Sequence, residues 1–431
     1  MTNTRSGLYT LAVLVVAGFG WTGAQAAEWA LDPMVSGLVR FDDNLRMQVR
    51  DKLATTEVAI RPELAFFRAT KVSEIRGEAA LNFRRFDKDD EVNEFNTDDY
   101  SLKASSFYRT ERQRWGLNLN FTKDTTLDSE LQETGVVFSR VPRLIRSITP
   151  NWTYSLNEKN NLNLNYSYSQ VRYDTGPVEN YFFDYDNQVL SLGHRFSWTE
   201  RTDFNTTLGI SRYHRDDDSY VSENGQFQVG ISHMFSERWS GQLTAGGRRT
   251  RNTVKAGVPI CTGYIMPGFF FGKPGSVCVD RDTLLEIPFE ITTLKNSTLS
   301  SGGVFSAVIQ HRDETSTLAL NISRNIVPSA RYGLILTDRA GLDYERTFSE
   351  TLSASASLSW YSSKDTASDG NFLDREYFQF TPRLRWRLDR DWSLLASYQY
   401  RQQRYAQRDT AKGNAAWLTL RYGWPKIAVG R

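Results

Sequence analysis

Apolar and polar side chains alternate with a period of two through most of this chain, most cleanly between Ser147 and Tyr173. Leu162, Leu164, Tyr166 and Tyr168 take every second position there, and Asn161, Asn163, Asn165 and Ser167 fill the gaps. A strand with one apolar and one polar face has this pattern, whereas a helix would mix the two sets. About eighteen such segments follow one another, from 34–41 through 413–423. The stretch 284–294 reads either as a further strand or as part of a loop.

The connections alternate too. After every second segment the link is tight and mostly charged, as in Thr110-Glu111, Glu158-Lys159, Ser236-Glu237-Arg238, Arg312-Asp313-Glu314 and Asp389-Arg390-Asp391. The intervening links, such as 87–96, 124–145, 215–223 and 363–373, are longer and rich in Asp, Gly and Ser. Strands of about 11 to 14 residues are long enough to cross a bilayer at a tilt. Together these features predict an all-β fold: a transmembrane antiparallel up-and-down β-barrel of about 18 strands, with short periplasmic turns and long extracellular loops. A soluble sandwich or propeller is the competing all-β architecture. Its strands would be shorter, and the polar faces here, such as Ser353, Ser355, Ser357 and Ser359, read as uniformly polar and leave no second dry layer to pack.

The same alternation assigns Trp115, Leu117, Leu119 and Phe121 to lipid, together with Leu352, Ala354, Ala356, Leu358 and Trp360 on a later strand. Trp152, Trp198, Trp239, Trp386 and Trp392 all fall beside tight turns, where an interfacial aromatic girdle belongs. A charge on the lipid face costs about 2–4 kcal/mol near the midplane, so arginines are expected to point inward. The predicted lumen basic cluster is Arg383, Arg385, Arg387, Arg401 and Arg421 on the closing strands, with Arg248 on an earlier one. In a channel with low-dielectric walls such a set favours anions or acidic sugars. The alternative is that these arginines pair with inward carboxylates such as Glu376 or Glu78 and brace the wall.

Composition narrows the picture. Among 431 residues, 52 basic and 50 acidic side chains leave a formal charge of +2, which points neither to nucleic acid nor to an acidic partner. Arg5, the apolar stretch 8–20 and Ala24-Gln25-Ala26 read as a signal peptide over 1–26, with the mature chain beginning at Ala27 and exported. A short periplasmic segment over 27–33, a barrel over 34–424 and a tail over 425–431 complete the expected organisation. Cys261 and Cys278 flank one loop of an exported chain and are expected to form a disulfide. Between them lie Phe269, Phe270 and Phe271 among glycines and prolines. That loop either folds into the mouth as a constriction, stands outward as a contact surface, or is an inert stapled loop. His194, His214, His233 and His311 are scattered, so neither a metal site nor a catalytic constellation is expected, and no cofactor.

Three stretches carry a family resemblance: Ile60-Arg61-Pro62-Glu63-Leu64-Ala65-Phe66, where a proline interrupts the alternation; the turn Phe235-Ser236-Glu237-Arg238-Trp239; and the close Trp417-Leu418-Thr419-Leu420-Arg421-Tyr422-Gly423-Trp424-Pro425. In these the chain resembles the outer-membrane barrels found with exosortase (PEP-CTERM) systems and exopolysaccharide loci. Barrels of this kind finish on an aromatic read by the outer-membrane insertion machinery; Trp424 takes that place, with 425–431 after it. The resemblance implies a role in exopolysaccharide secretion or surface assembly, without a reaction. The resulting expectation is a porin-like passive channel in the Gram-negative outer membrane, embedded in lipid and passing polysaccharide or small anionic solutes. A non-conducting scaffold acting through its long loops is the alternative, and an outer-membrane hydrolase ranks third.

Overall fold

The computed structural model describes residues 28–87, 96–126, 141–174, 182–267, 276–329, 333–365, 375–405 and 409–429. The leader and Phe269 to Phe271 lie outside the described residues. Numbered along the chain, the strands are β1 (Glu28–Asp42), β2 (Thr55–Ala69), β3 (Ser73–Phe86), β4 (Thr97–Arg109), β5 (Gln113–Thr125), β6 (Pro142–Ser155), β7 (Asn160–Tyr173), β8 (Tyr185–Thr199), β9 (Thr202–Arg215), β10 (Tyr220–Met234) and β11 (Trp239–Ile260). Three short strands outside the barrel follow: β12 (Tyr264–Pro267), β13 (Ser276–Val279) and β14 (Glu286–Ile287). The wall resumes with β15 (Glu290–Arg312), β16 (Ser316–Ser329), β17 (Gly333–Thr347), β18 (Leu352–Asp365), β19 (Arg375–Arg387), β20 (Trp392–Tyr405) and β21 (Ala411–Gly423), and β22 (Ile427–Val429) ends the chain.

Eighteen of these strands form one closed antiparallel barrel. Each pairs with its neighbour in sequence, and β1 closes the wall against β21, with Met34 opposite Gly423 and Asp42 opposite Ala415. Three boundaries differ from the sequence reading. Residues 28–33 are wall rather than a separate segment, Glu28 standing opposite Ala69 and Pro33 opposite Leu64. Because β1 outlasts β21, its backbone groups at Trp29 to Leu31 would be left unpaired, and β22 in the expected tail supplies their partners. The 284–294 stretch splits between β14 and the beginning of β15.

Directly opposed residues share a face, so the ladder sorts every side chain as in or out. Leu342, Leu358 and Phe380 form one outward rung; Asp343, Ser357 and Thr381 form the adjacent inward rung. The expected lipid-facing residues all fall on the outer set. Leu192, Leu208, Leu243, Leu384 and Leu418 stand exposed around the exterior, while Asn224, Thr250, Asn252, Thr337 and Gln399 are buried within. Apolar outside and polar inside inverts a soluble protein, and hydrocarbon is the solvent that this surface matches. The girdle tryptophans face outward beside the tight turns: Trp115 and Trp152 meet with ring centroids 5.6 Å apart, and Trp198 sits edge-on to Phe196 and Phe204.

The tight turns share one device. Each opens on Asp, Asn, Ser or Thr, whose side-chain oxygen accepts from the backbone two residues on, three residues on, or both. The Asp313 carboxylate takes the N–H of Thr315 at 2.8 Å and of Ser316 at 2.6 Å. Asp389 takes those of Asp391 and Trp392, both at 2.8 Å, and Asn157 those of Lys159 and Asn160 at 3.0 and 2.9 Å. Ser236 and Thr70 serve their turns likewise.

The wall departs from regularity at one seam. The β15–β16 ladder stops at Phe305 opposite Arg324, yet β11 and β15 stay paired out to Ile260 and Glu290. The β16–β17 ribbon also continues, to Ser329 opposite Gly333. Two ribbons therefore part above the seam. The β11–β15 ribbon projects outward, its Ile265, Leu285 and Ile291 strongly exposed. At its tip Cys261 and Cys278 form the expected disulfide, with Cα atoms 5.4 Å apart, tying the β12–β14 sheet in place. Closing a loop of this size is worth about 3 kcal/mol on the chain-entropy model. Of the three fates open to this loop in the sequence, the described part does not constrict the mouth.

Two outcomes follow. Leu358→Arg, on the outer face at mid-strand, should lower unfolding free energy by about 2–4 kcal/mol, and lumen-facing Ser357→Arg by much less; denaturant unfolding in phospholipid vesicles measures both. Hydrogen bonds from the Thr315 and Ser316 amides and the Ser316 hydroxyl hold the Asp313 carboxyl down at about 2, against an ordinary 3.8. A depressed carboxyl stabilises the folded turn fully above its unfolded value, and that contribution disappears as pH falls from 3.8 towards about 2. Amide-exchange protection at Thr315 and Ser316 should drop across that window, and Asp313→Ala should remove the step.

Candidate functional site

The inner wall of β19, β20, β21 and β1 carries the densest unpaired charge. On β19, Arg383, Arg385 and Arg387 share a face with buried Arg375, Tyr377 and Thr381, so all three point inward. They lie in the half nearer the tight turns and are exposed to the lumen. Arg421 of β21 joins them two strands on, through Ser393 of β20. Arg385, Arg387 and Arg421 line a recess with Ser36, Glu63, Arg390, Asp391, Ser393 and Thr419.

Counter-charge here is sparse. Glu63 lies 3.8 Å from Arg421 but is held closely by Arg61, at 2.6 Å. No described carboxylate comes within 4.0 Å of Arg383, Arg385 or Arg387. Glu345 shares the Arg383 rung only across Ser355 of β18, about 10 Å away by strand spacing. The bracing partners suggested by the sequence are committed elsewhere. Glu376 points outward, correcting its inward assignment, and pairs with Arg404 at 2.9 Å; Glu78 points inward but approaches Arg61, at 3.9 Å.

The other two members of the predicted cluster are not brought to this rung. Arg401 lies at the long-loop end of β20, buried, with its Nη2 2.5 Å from Asp42 Oδ1. Arg248 is buried in the β11 wall, where Nη1 donates to Thr250 Oγ1 at 3.0 Å and Thr250 in turn to Asn224. Around the long-loop end other buried arginines are also fastened to carboxylates: Arg84 to Glu57 at 2.7 Å, and Arg143 to Asp124 through two bonds of 3.0 Å. Bidentate pairs of this kind fix the wall's geometry.

Two segments fold into the lumen from that end. The β1–β2 connection, 43–54, turns inward: Asn44 donates to Lys412 O at 2.9 Å and Gln48 O at 2.7 Å. Leu45 packs on Phe86, and Met47 on Tyr361, Tyr377 and Ala411. The second segment is the tip of the β16–β17 ribbon. Below Arg324 the even-numbered face of β16, Leu318, Leu320 and Ile322, meets lipid. Above the seam the same face, Ile326 with Leu334 across the ribbon, meets an apolar nest on the inner wall formed by Val141, Val171, Tyr173, Phe182, Tyr185, Tyr213 and Tyr220. Tyr213 donates its hydroxyl to Ser329 O at 3.0 Å. Gly333 makes the approach possible: its φ is +79°, and a Cβ there would lie 2.2 Å from the Tyr220 ring.

The sequence reading missed this aromatic lining because it took the polar faces as uniform. The signal was present at one end of each strand. On β7 the inward positions run Asn161, Asn163, Asn165, Ser167 and Ser169, then turn to Val171 and Tyr173. In the 43–54 loop, Leu45, Met47 and Leu53 are apolar among polar neighbours.

No family model matches the chain, and no curated protein does. Similar solved structures include OccAB3 of Acinetobacter baumannii, with 10% identity over 93% of this chain and 99% of that one, TM-score 0.43. OpdQ of Pseudomonas aeruginosa matches with 10% identity over 92% and 99%, TM-score 0.44. OccK2 (OpdF) of the same organism, solved in complex with glucuronate, matches with 12% identity over 92% and 97%, TM-score 0.42.

Gly333→Val should undock the ribbon tip at a cost of about 1–3 kcal/mol. Hydrogen exchange is expected to accelerate in residues 334–337 while the remaining wall stays protected.

Proposed function

We propose that this protein is a passive outer-membrane channel for small hydrophilic solutes, with a preference for anions. The supporting observation is the run of Arg383, Arg385 and Arg387, inward, exposed and without a described carboxylate in reach. A structural role would pair these charges; a lumen that concentrates anions would leave them open. A cleaved leader over 1–26 agrees with the disulfide, since such bonds persist outside the reducing cytosol. The tight turns then face the periplasm, placing the arginine rung near the inner exit. The two inward segments at the long-loop end favour solutes of monosaccharide size over a growing polymer. The resemblance to exopolysaccharide-locus barrels adds acidic sugars as the solute class. The glucuronate complex of OccK2, a barrel of similar course, is compatible with that choice and carries no weight by itself.

The projecting β11–β15 ribbon favours a second reading, a non-conducting scaffold. Its β15 edge from 290 to 304 pairs only with β11, and its tip exposes apolar side chains.

Planar-bilayer recording separates the two. The folded protein should give discrete current steps and, in a salt gradient, a reversal potential of anion sign. Arg383→Glu combined with Arg385→Glu should move that potential towards cations. Absence of steps with the disulfide both intact and reduced would leave the scaffold reading.

A further inference from the structure

Arg375, the first residue of β19, differs from every other arginine fastened at the long-loop end. It is 2% exposed, and its guanidinium carbon lies 5.5, 5.7 and 5.4 Å from the rings of Tyr361, Tyr377 and Tyr405. Nη2 donates to Gln403 Oε1 at 3.0 Å. Nε and Nη1 are buried with no hydrogen-bond partner, and no described carboxylate lies within 4.0 Å. Arg84, Arg143 and Arg401, towards the same end of the barrel, are also buried, and each holds an acidic side chain.

A buried guanidinium is ordinarily compensated by an anion. Aromatic faces stabilise it in part, but they leave its hydrogen-bond donors unused, and unused buried donors are costly. Among the described residues, no carboxylate lies close enough to compensate it. Met47 is the residue of the 43–54 segment that packs on Tyr361 and Tyr377, and it is held at a φ of +52°, in the left-handed region that a non-glycine residue rarely adopts. An unbranched side chain so placed can be displaced from the two rings by a ligand of similar size.

We propose that Arg375, with Tyr361, Tyr377 and Tyr405, is a binding site for the carboxylate of a cyclic sugar acid at the channel's long-loop end. The carboxylate takes the unused donors, and the sugar ring replaces Met47 against the tyrosine faces, as flat aromatic surfaces accommodate apolar sugar C–H groups. The site is separate from the Arg383–Arg387 rung, which lies in the other half of the same strand. The assignment of a sugar acid rests on the channel reading above.

The test uses the full-length mature protein, refolded in detergent and titrated with galacturonate and with galactose by calorimetry. Galacturonate should bind and galactose should bind at least tenfold more weakly. Arg375→Gln should weaken galacturonate at least tenfold. Gln403→Glu provides the second variant, since it places a carboxylate on the guanidinium, keeps a barrel whose buried charge is now paired, and should abolish galacturonate binding in the same way. Equal galacturonate affinity in wild type and Gln403→Glu, or no binding by wild type, overturns the proposal. Reversal potentials of the same proteins report on the rung instead. Lost binding in a protein that gives no current leaves the site standing and removes the channel, whereas unchanged binding in an anion-selective pore does the reverse.

Discussion

The structure depends on one constraint: a backbone surrounded by hydrocarbon has no water to satisfy its N–H and C=O groups, so the sheet must close on itself. The β1–β21 seam is where that requirement is met, between residues nearly four hundred positions apart in the chain. Everything else is arranged around the closed wall. Through most of its height the outer face is apolar and the inner face polar, and the tight turns are capped by their own side chains. Even the residues after Trp424 are recruited, β22 extending the ladder where β1 outlasts its last full partner.

Within that wall the arginines divide by the company they keep. Those buried at the long-loop end are mostly clamped to carboxylates, as Arg84 is to Glu57, Arg143 to Asp124 and Arg401 to Asp42. Such pairs place the strands and the inward loop; their desolvation offsets much of their attraction, so they specify geometry more than they add stability. Arg383, Arg385 and Arg387, in the half nearer the tight turns, are exposed and have no described carboxylate within 4.0 Å. That contrast, and not the net charge of +2, distinguishes a wall braced by charge from a lumen made electropositive.

The parting of the β11–β15 and β16–β17 ribbons shows how the surroundings decide conformation. One face of β16 meets lipid through Leu318, Leu320 and Ile322 up to Arg324; beyond the seam the same face packs on the apolar nest of the inner wall, and the ribbon leans in to reach it. The neighbouring ribbon carries Ser and Thr along its upper edge, from Thr292 to Ser301, and has no such reason to turn. It remains in solvent with a disulfide closing its tip.

The sequence by itself determined the strand succession, the two faces and the alternation of tight and long connections, because each is written at short range: the pleat repeats every two residues and a capped turn spans four. It placed Arg383, Arg385 and Arg387 inward for the same reason. Only the tertiary structure decided that Arg248 is buried in the wall, that Arg401 belongs to Asp42, and that Glu376 faces out with Arg404. It alone brought 43–54 and the β16–β17 tip into the lumen and left Arg375 among tyrosines with no described carboxylate in reach. Parity gives a residue's side of the sheet, but its partner depends on register across strands and on loops whose conformation answers to distant surfaces, and neither is encoded in a local pattern.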